Sequence, residues 1–205
     1  MPNKSLKNKL TIVLVGRSGS GKGTQARLLL ERLKKHSVAH LETGKFMRSF
    51  MKHQNLTAVI VRRALGAGKI LPSWLAAYTW LKELREKGKA DKHLVYDGAP
   101  RKVWEAELID EVMRWHGRTP ALCIYIEISK KEAMRRLLLR GRKDDRIHAI
   151  KSRLNFFESH VRNVIRYYKA AGRIIVVDGE RPIEDIFTDI NKKLRKRLGK
   201  FWPTQ

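Results

Sequence analysis

Residues 16–24 read GRSGSGKGT. Glycines at 16, 19, 21 and 23 let consecutive backbone N–H groups point inward at phosphate oxygens, and Lys22 supplies an ammonium able to bridge terminal phosphates. The GxxxxGK pattern is met, although Gly23 follows the lysine and the hydroxyl comes one place later as Thr24. An apolar run precedes the loop and the helical spacing of ARLLLERL follows it, the order that sets a helix N-terminus against an anion. Such a loop holds nucleotide phosphates and leaves the acceptor open. HLVYD, a strand pattern, ends at Asp97 and runs into GAPR, which puts a carboxylate at a strand's carboxyl end, suited to a water-mediated contact with Mg²⁺. Arg101 then opens the next helix. Its planar fork suits phosphate, and Arg48 in TGKFMR offers a second fork, so that two can clamp one monophosphate. The cluster RRLLLRGRKDDR at 135–146 carries more arginines than a solvated face needs, is broken by Gly141 and ends in Asp144 and Asp145, a pattern that predicts a hinged arginine lid.

Elements that could position these residues recur along the chain. LTIVLVG, VAHLE (38–42), HLVYD (93–97), ALCIYIEI (121–128) and RIIVVDG (173–179) read as short strands between amphipathic helices, the first helix spanning about 22–36. Alternation of this kind predicts an α/β fold with a parallel five-stranded sheet and flanking helices. Between Thr43 and Pro72 the pattern holds helices and no strand, so 43–72 reads as a helical excursion able to move as a flap. From 146 to 171 the spacing of Ile147, Ile150, Leu154, Phe157, Val161, Val164, Ile165 and Tyr168 predicts one long helix with a buried stripe. Trp74, Trp80 and Trp115 fall on predicted helices as core or half-buried residues, Trp104 reads as packing, and Trp202 sits in the tail.

With 205 residues, 42% hydrophobic and 32% charged, the chain suits one folding unit and not collagen, a coiled coil or a disordered chain. No apolar run approaches the roughly 18 residues a membrane span needs. One cysteine, Cys123 in ALCIYI, leaves no internal disulfide and fits an inert core thiol in a reducing, cytoplasmic compartment. The net charge of +25 would attract polyanions, nucleotides and RNA among them, with KKLRKRLGK at 192–200 as its second cluster.

Together these motifs resemble the adenylate kinase family of nucleoside monophosphate kinases over essentially the whole chain. GRSGSGKGTQ resembles the family's phosphate loop, LETGKFMR its acceptor-binding helix start, GAGKILP the turn under the acceptor base, YDGAPR its DGFPR signature, and DGERP completes the set. The resemblance implies a P-loop core at 1–42, 73–140 and 146–205, a helical monophosphate-binding insertion at 43–72 and a vestigial lid at 141–145. It implies reversible, Mg²⁺-dependent transfer of the ATP γ-phosphoryl to AMP by a monomer. Gly19, Ser20, Gly21, Lys22, Gly23 and Thr24 are implied to hold the donor phosphates, with Lys22 following the moving phosphoryl. Arg136 would stack on the donor adenine, which also meets the backbone at Arg181. Arg140, Arg142 and Arg153 would neutralise the transferring group. Thr43, Gly44, Arg48, Lys69, Ile70, Leu71, Gly98, Ala99, Pro100, Arg101 and Glu105 are implied to hold the acceptor, with Asp97 and Thr24 reaching Mg²⁺ through water.

Departures from the family pattern carry expectations of their own. Only Arg142 and Lys143 separate Gly141 from Asp144, so the lid is very short and has no room for zinc ligands, and some ATP hydrolysis without acceptor is expected. Lys45 replaces the usual Asp and reads as an exposed lysine. Glu105 stands four residues past Arg101, where the family carries a base-reading Gln. An ionised Glu only accepts, which suits guanine N1–H and N2–H₂ better than adenine N1. Glu105 leaves open a kinase for GMP, a pyrimidine or several acceptors, and the +25 charge and basic tail at 192–200 leave open, from another class, a P-loop protein that binds RNA or the ribosome with weak ATPase.

Overall fold

The apolar run after Lys9 forms β1 (Thr11–Gly16), buried on both faces as a continuous Val/Ile/Leu strand of a parallel sheet must be. The computed structural model describes residues 9–66, 71–142 and 145–202. With β2 (Val38–Glu42), β3 (His93–Asp97), β4 (Leu122–Glu127) and β5 (Ile174–Asp178) it makes a five-stranded sheet in the order β2-β3-β1-β4-β5, every pair parallel. β1 lies at the centre with β3 on one side and β4 on the other, so chain order reverses across it. The carboxyl ends of all five strands share one edge, where open α/β sheets bind ligands.

Helices cover both faces. Along β1 the side chains alternate, with Ile12 and Leu14 facing α1 (Lys22–Leu33) and α9 (Ile183–Leu198) through Leu29, Leu33, Ile190 and Leu194. Val13 and Val15 face the opposite layer of α4 (Ser73–Lys87), α5 (Val103–Trp115) and α8 (Arg162–Ala170) through Trp80, Met113 and Val164. Between β2 and α4 lie α2 (Thr43–Phe50) and α3 (Leu56–Gly66), helical as the sequence pattern predicts, with no strand among the described residues there.

The stretch from 146 to 171 departs from expectation. Instead of one helix with one stripe, α7 (Ile147–Phe156) and α8 are joined by a π turn at Phe157–Val161. Ile150 and Leu154 pack with Ala133 and Leu137 of α6 (Lys130–Arg140), whereas Phe157, Val161, Val164 and Tyr168 join the sheet-facing core. The wider π turn re-aims the rod from one cluster to the other. Ile147 opens α7 outside either cluster and stands 60% exposed.

Three tryptophans also differ from expectation. Trp115 lies two positions past buried Met113, hence on the opposite helix face, and is 83% exposed. Trp74 is exposed on a stripe with Tyr78 and Leu81, while Leu75 and Trp80 face inward. Trp202 in the tail is instead buried against the α1/α9 layer. Cys123 is buried as expected, and burial pushes its thiol well above its ordinary range.

Candidate active site

β1 delivers the chain into a loop that glycine alone suits at two points, Gly19 at φ 85° and Gly21 at φ 89°. A Cβ on Gly16 would stand 2.6 Å from the Ile126 carbonyl oxygen, so the loop leaves β1 pressed against β4. Gly21 caps α1, its carbonyl accepting from the N–H of Thr24 and Gln25 at 3.0 Å each. Lys22 folds back: its Nζ donates to the carbonyl oxygens of Gly16 (2.9 Å) and Arg17 (2.8 Å). Burial pulls its pKa down to about 8. Asp97 opposes that drop, while the Arg101 and Arg140 cations add to it. Those three charges therefore converge on the ammonium.

Asp97, at the end of β3, faces the loop, its Oδ2 being 3.3 Å from where a Cβ on Gly23 would stand. The next residue, Gly98, has φ 95°, and a Cβ there would collide with the Thr43 hydroxyl, which itself donates to the Asp97 carbonyl at 3.2 Å. The start of α2 is thus locked onto the end of β3. Arg101 Nε donates to the Gly98 carbonyl at 2.8 Å, and the Arg101 N–H donates to Glu105 Oε2 at 2.6 Å. Glu105 sits in the first turn of α5 and reaches back over the helix start, where the helix dipole favours a negative group. It is 1% exposed. Burial pushes its carboxyl upward, against the pull of the Arg101 and Lys102 N–H groups and side-chain charges.

Across the cleft, α6 begins with a Ser129 cap accepting from the Glu132 N–H at 3.1 Å and ends at Gly141 in the left-handed region. Asp145 then gathers three arginines. Arg140 donates to it bidentately (2.9 and 2.8 Å), Arg153 Nη2 at 2.7 Å and the Arg142 N–H at 3.2 Å. Burial opposes its ionisation, but the bonds from Arg140 and Arg153 outweigh that and hold the carboxyl at about 2. Arg136 is held by Glu132 Oε1 at 2.6 Å.

One cleft of 730 Å³ takes in most of the residues singled out from sequence. Gly19, Gly21, Lys22, Gly23 and Thr24 line it together with Thr43, Gly44, Leu71, Asp97, Gly98, Pro100, Arg101 and Glu105. Arg136, Arg140, Arg142 and Arg153 complete its wall. Ser20 and Ala99 are buried beside it without lining it. Arg181 lies outside the lining, with its guanidinium donating to Asp189 Oδ2 at 2.8 Å. Lys69 and Ile70 lie outside the described residues, and Arg48 falls in α2 with its side chain outside them. Lys45 is exposed. Sequence reasoning passed over Arg17, the loop's second residue, and gave Asp145 no role; the DD after the arginine run was the signal for the latter. It also missed the apolar wall of Met47, Phe156, Phe157 and Val161, which carries no chemical signature.

The adenylate kinase family model matches residues 14–173, the span from within β1 to the residue before β5. The chain belongs to the adenylate kinase family. It is 31% identical to an adenylate kinase of Azobacteroides pseudotrichonymphae genomovar. CFP2 over 189 residues, covering 90% of this chain and 97% of the relative. It is 34% identical to UMP-CMP kinase 1 of Oryza sativa subsp. japonica over 185 residues, or 89% and 73%. An adenylate kinase of Corynebacterium urealyticum is 32% identical over 177 residues, or 86% and 94%. As a member of this family the chain is a nucleoside monophosphate kinase with the P-loop α/β fold. The relatives lend no support to the RNA- or ribosome-binding alternative, so the high charge does not place the chain in that class. No helix among the described residues is long and apolar enough to cross a membrane.

Proposed function

We propose that this chain transfers the γ-phosphoryl group of ATP reversibly to AMP, giving two ADP, as a cytoplasmic monomer. The observation that carries this reading is the single cleft lined at once by the phosphate loop, by Thr43, Arg101 and Glu105, and by the lid arginines. Donor and acceptor would share one space, and transfer of this kind needs positioning and charge neutralisation more than covalent catalysis. The P-loop N–H groups and Lys22 would take the donor phosphates, Lys22 exchanging its two carbonyl partners for phosphate oxygens. Arg48 and Arg101 would clamp the acceptor phosphate, and Arg140, Arg142 and Arg153 would meet the moving group. Arg136 and the backbone at Arg181 are assigned to the donor adenine, and Lys69, Ile70 and Leu71 to the acceptor nucleoside. Mg²⁺ arriving with ATP fits the oxygen-only set of Asp97 and Thr24, since Mg²⁺ keeps several waters and takes few protein oxygens. When bound it neutralises phosphate charge.

Glu105 is consistent with adenine when its carboxyl carries a proton: the O–H donates to N1 and the carbonyl oxygen accepts from N6–H₂. Its burial favours that neutral form. A second reading, a pyrimidine or broader acceptor, is favoured by the 34% identity to a UMP-CMP kinase. Both readings meet the same test: ADP formation from ATP and Mg²⁺ with AMP, GMP, UMP or CMP, beside an acceptor-free control. Fast turnover with AMP alone supports the proposal. Preference for another base overturns the AMP assignment. Hydrolysis in the control above the no-enzyme rate is expected from the short lid.

A further inference from the structure

Arg17 is a cation placed second in a loop otherwise built of glycine and serine, and its side chain points away from where phosphate would bind. It is 7% exposed and does not line the cleft. Its carbonyl oxygen is a hub of the loop, accepting from the Ser20 N–H at 3.1 Å and from Lys22 Nζ at 2.8 Å. Its guanidinium reaches behind the loop to two other elements. Nη1 donates to the Ile128 carbonyl at 2.6 Å, one residue before the Ser129 cap of α6. Nη2 donates to Glu158 Oε1 at 2.6 Å, and the guanidinium carbon stacks 4.2 Å above the Phe157 ring, both residues belonging to the π turn that follows α7. Phe157 in turn stacks on Tyr125 of β4 and lines the cleft.

These contacts define a junction. α6 carries Arg136 and Arg140 and is rooted at Ile128; α7 carries Arg153, five residues before Glu158, about 7 Å along the helix axis. Both arms of the lid thus meet one guanidinium, which sits on the same residue whose carbonyl parks the Lys22 ammonium. We propose that Arg17 is a positioning residue, a strut that ties the phosphate loop to the roots of both lid arms and so sets where Arg140 and Arg153 stand relative to the donor phosphates. The inference rests on the phosphoryl-contacting role proposed above for those two arginines. Nothing in it requires Arg17 to touch a substrate. Loss of the strut leaves the loop's N–H cradle in place and lets the arginine wall drift, so donor binding survives while transfer slows. A displacement of about 1 Å between reacting groups and the residues that stabilise them can cost roughly 100-fold in rate.

The test compares wild type with Arg17→Lys, Glu158→Gln and the double variant, each assayed for kcat, for KM of ATP and for Tm. The acceptor is whichever monophosphate the panel turns over fastest, so a wrong acceptor base leaves this test intact. Arg17→Lys keeps the charge and loses the fork; kcat is expected to fall about 10- to 100-fold with KM for ATP within about threefold. Glu158→Gln keeps an acceptor oxygen and is expected to lose less. Glu158 also pairs with Arg162, but the double variant is expected to be no slower than Arg17→Lys alone, because the link from Arg17 to Glu158 is already lost with the fork. A lower Tm with kcat unchanged in both single variants would mean a merely structural ion pair and overturn the proposal. Multiplicative losses in the double variant would overturn it as well. Should Arg17→Lys fail to fold, Glu158→Gln decides alone, a kcat within twofold of wild type counting against the strut.

Discussion

Asp145 offers the sharpest quantitative test, because a single carboxylate, 1% exposed in its side chain, holds Arg140 and Arg153 together. Its carboxyl is pulled from an ordinary 3.8 to about 2. At about 1.36 kcal/mol per pKa unit, that difference corresponds to roughly 2.4 kcal/mol of folding stability. Arg140 and Arg153 stay 32% and 24% exposed, so water screens part of the attraction and the figure is an upper bound. The sign follows from the depressed value: the contribution is complete above pH 3.8, where the unfolded carboxylate is ionised, and is lost as pH falls through about 2. Asp145→Asn removes the charge while keeping size and an acceptor oxygen. Urea unfolding of both proteins from pH 7 to pH 2 should show the variant less stable by about 1 to 2.5 kcal/mol at neutral pH, with the gap closing below pH 4. Other carboxylates destabilise both proteins alike in that range, so the difference is the quantity to follow. A gap that stays constant with pH, or is absent at pH 7, would refute the assignment of the arginine clamp to this carboxylate.

Three further outcomes are expected. Lys22, with its pKa held at about 8, is cationic below that value and neutral above it, so kcat/KM for ATP should decline as pH rises through 8, and Lys22→Met should lower kcat about 100- to 1,000-fold in a single-turnover assay. The raised pKa of Glu105 makes its neutral, adenine-compatible form dominant at lower pH and its ionised form at higher pH; the ratio of AMP to GMP turnover should therefore fall as pH rises, and Glu105→Gln should flatten that dependence. Trp202→Ala should cost about 3–5 kcal/mol and Trp115→Ser less than about 0.5, as thermal denaturation would read, the first leaving a hole in the core and the second vacating a solvated position.

The sheet was legible because each strand is a short apolar run followed by a polar or glycine-bearing turn; β2 and β3 fall at the bounds expected from VAHLE and HLVYD. The cleft was legible for the same reason, since glycine, lysine, arginine and carboxylate types announce phosphate chemistry wherever a strand ends. What escaped depends on direction rather than type. The stripe from Ile150 to Tyr168 has a spacing that fits one continuous helix, and only packing against two different layers reveals the π turn. Trp115 and Trp202 have the same side chain, and their burial is decided by which face of α5 ends in solvent and by the tail folding back on α1 and α9. Arg17 reads as one more surface cation until β4, α6 and the π turn close around it.

The central place of β1 also constrains how the chain can be made. Thr11 pairs with Leu94 and Ile12 with Leu122, so neither side of this strand can be satisfied by a local hairpin. During synthesis TIVLV emerges long before either partner, as an apolar, β-branched segment with both edges open. Contacts so distant in sequence slow folding, since loop closure must be completed before pairing returns any stability. The strand that ends in the nucleotide loop is therefore the one exposed longest to wrong partners, and the loop takes its shape only once both flanking strands have arrived.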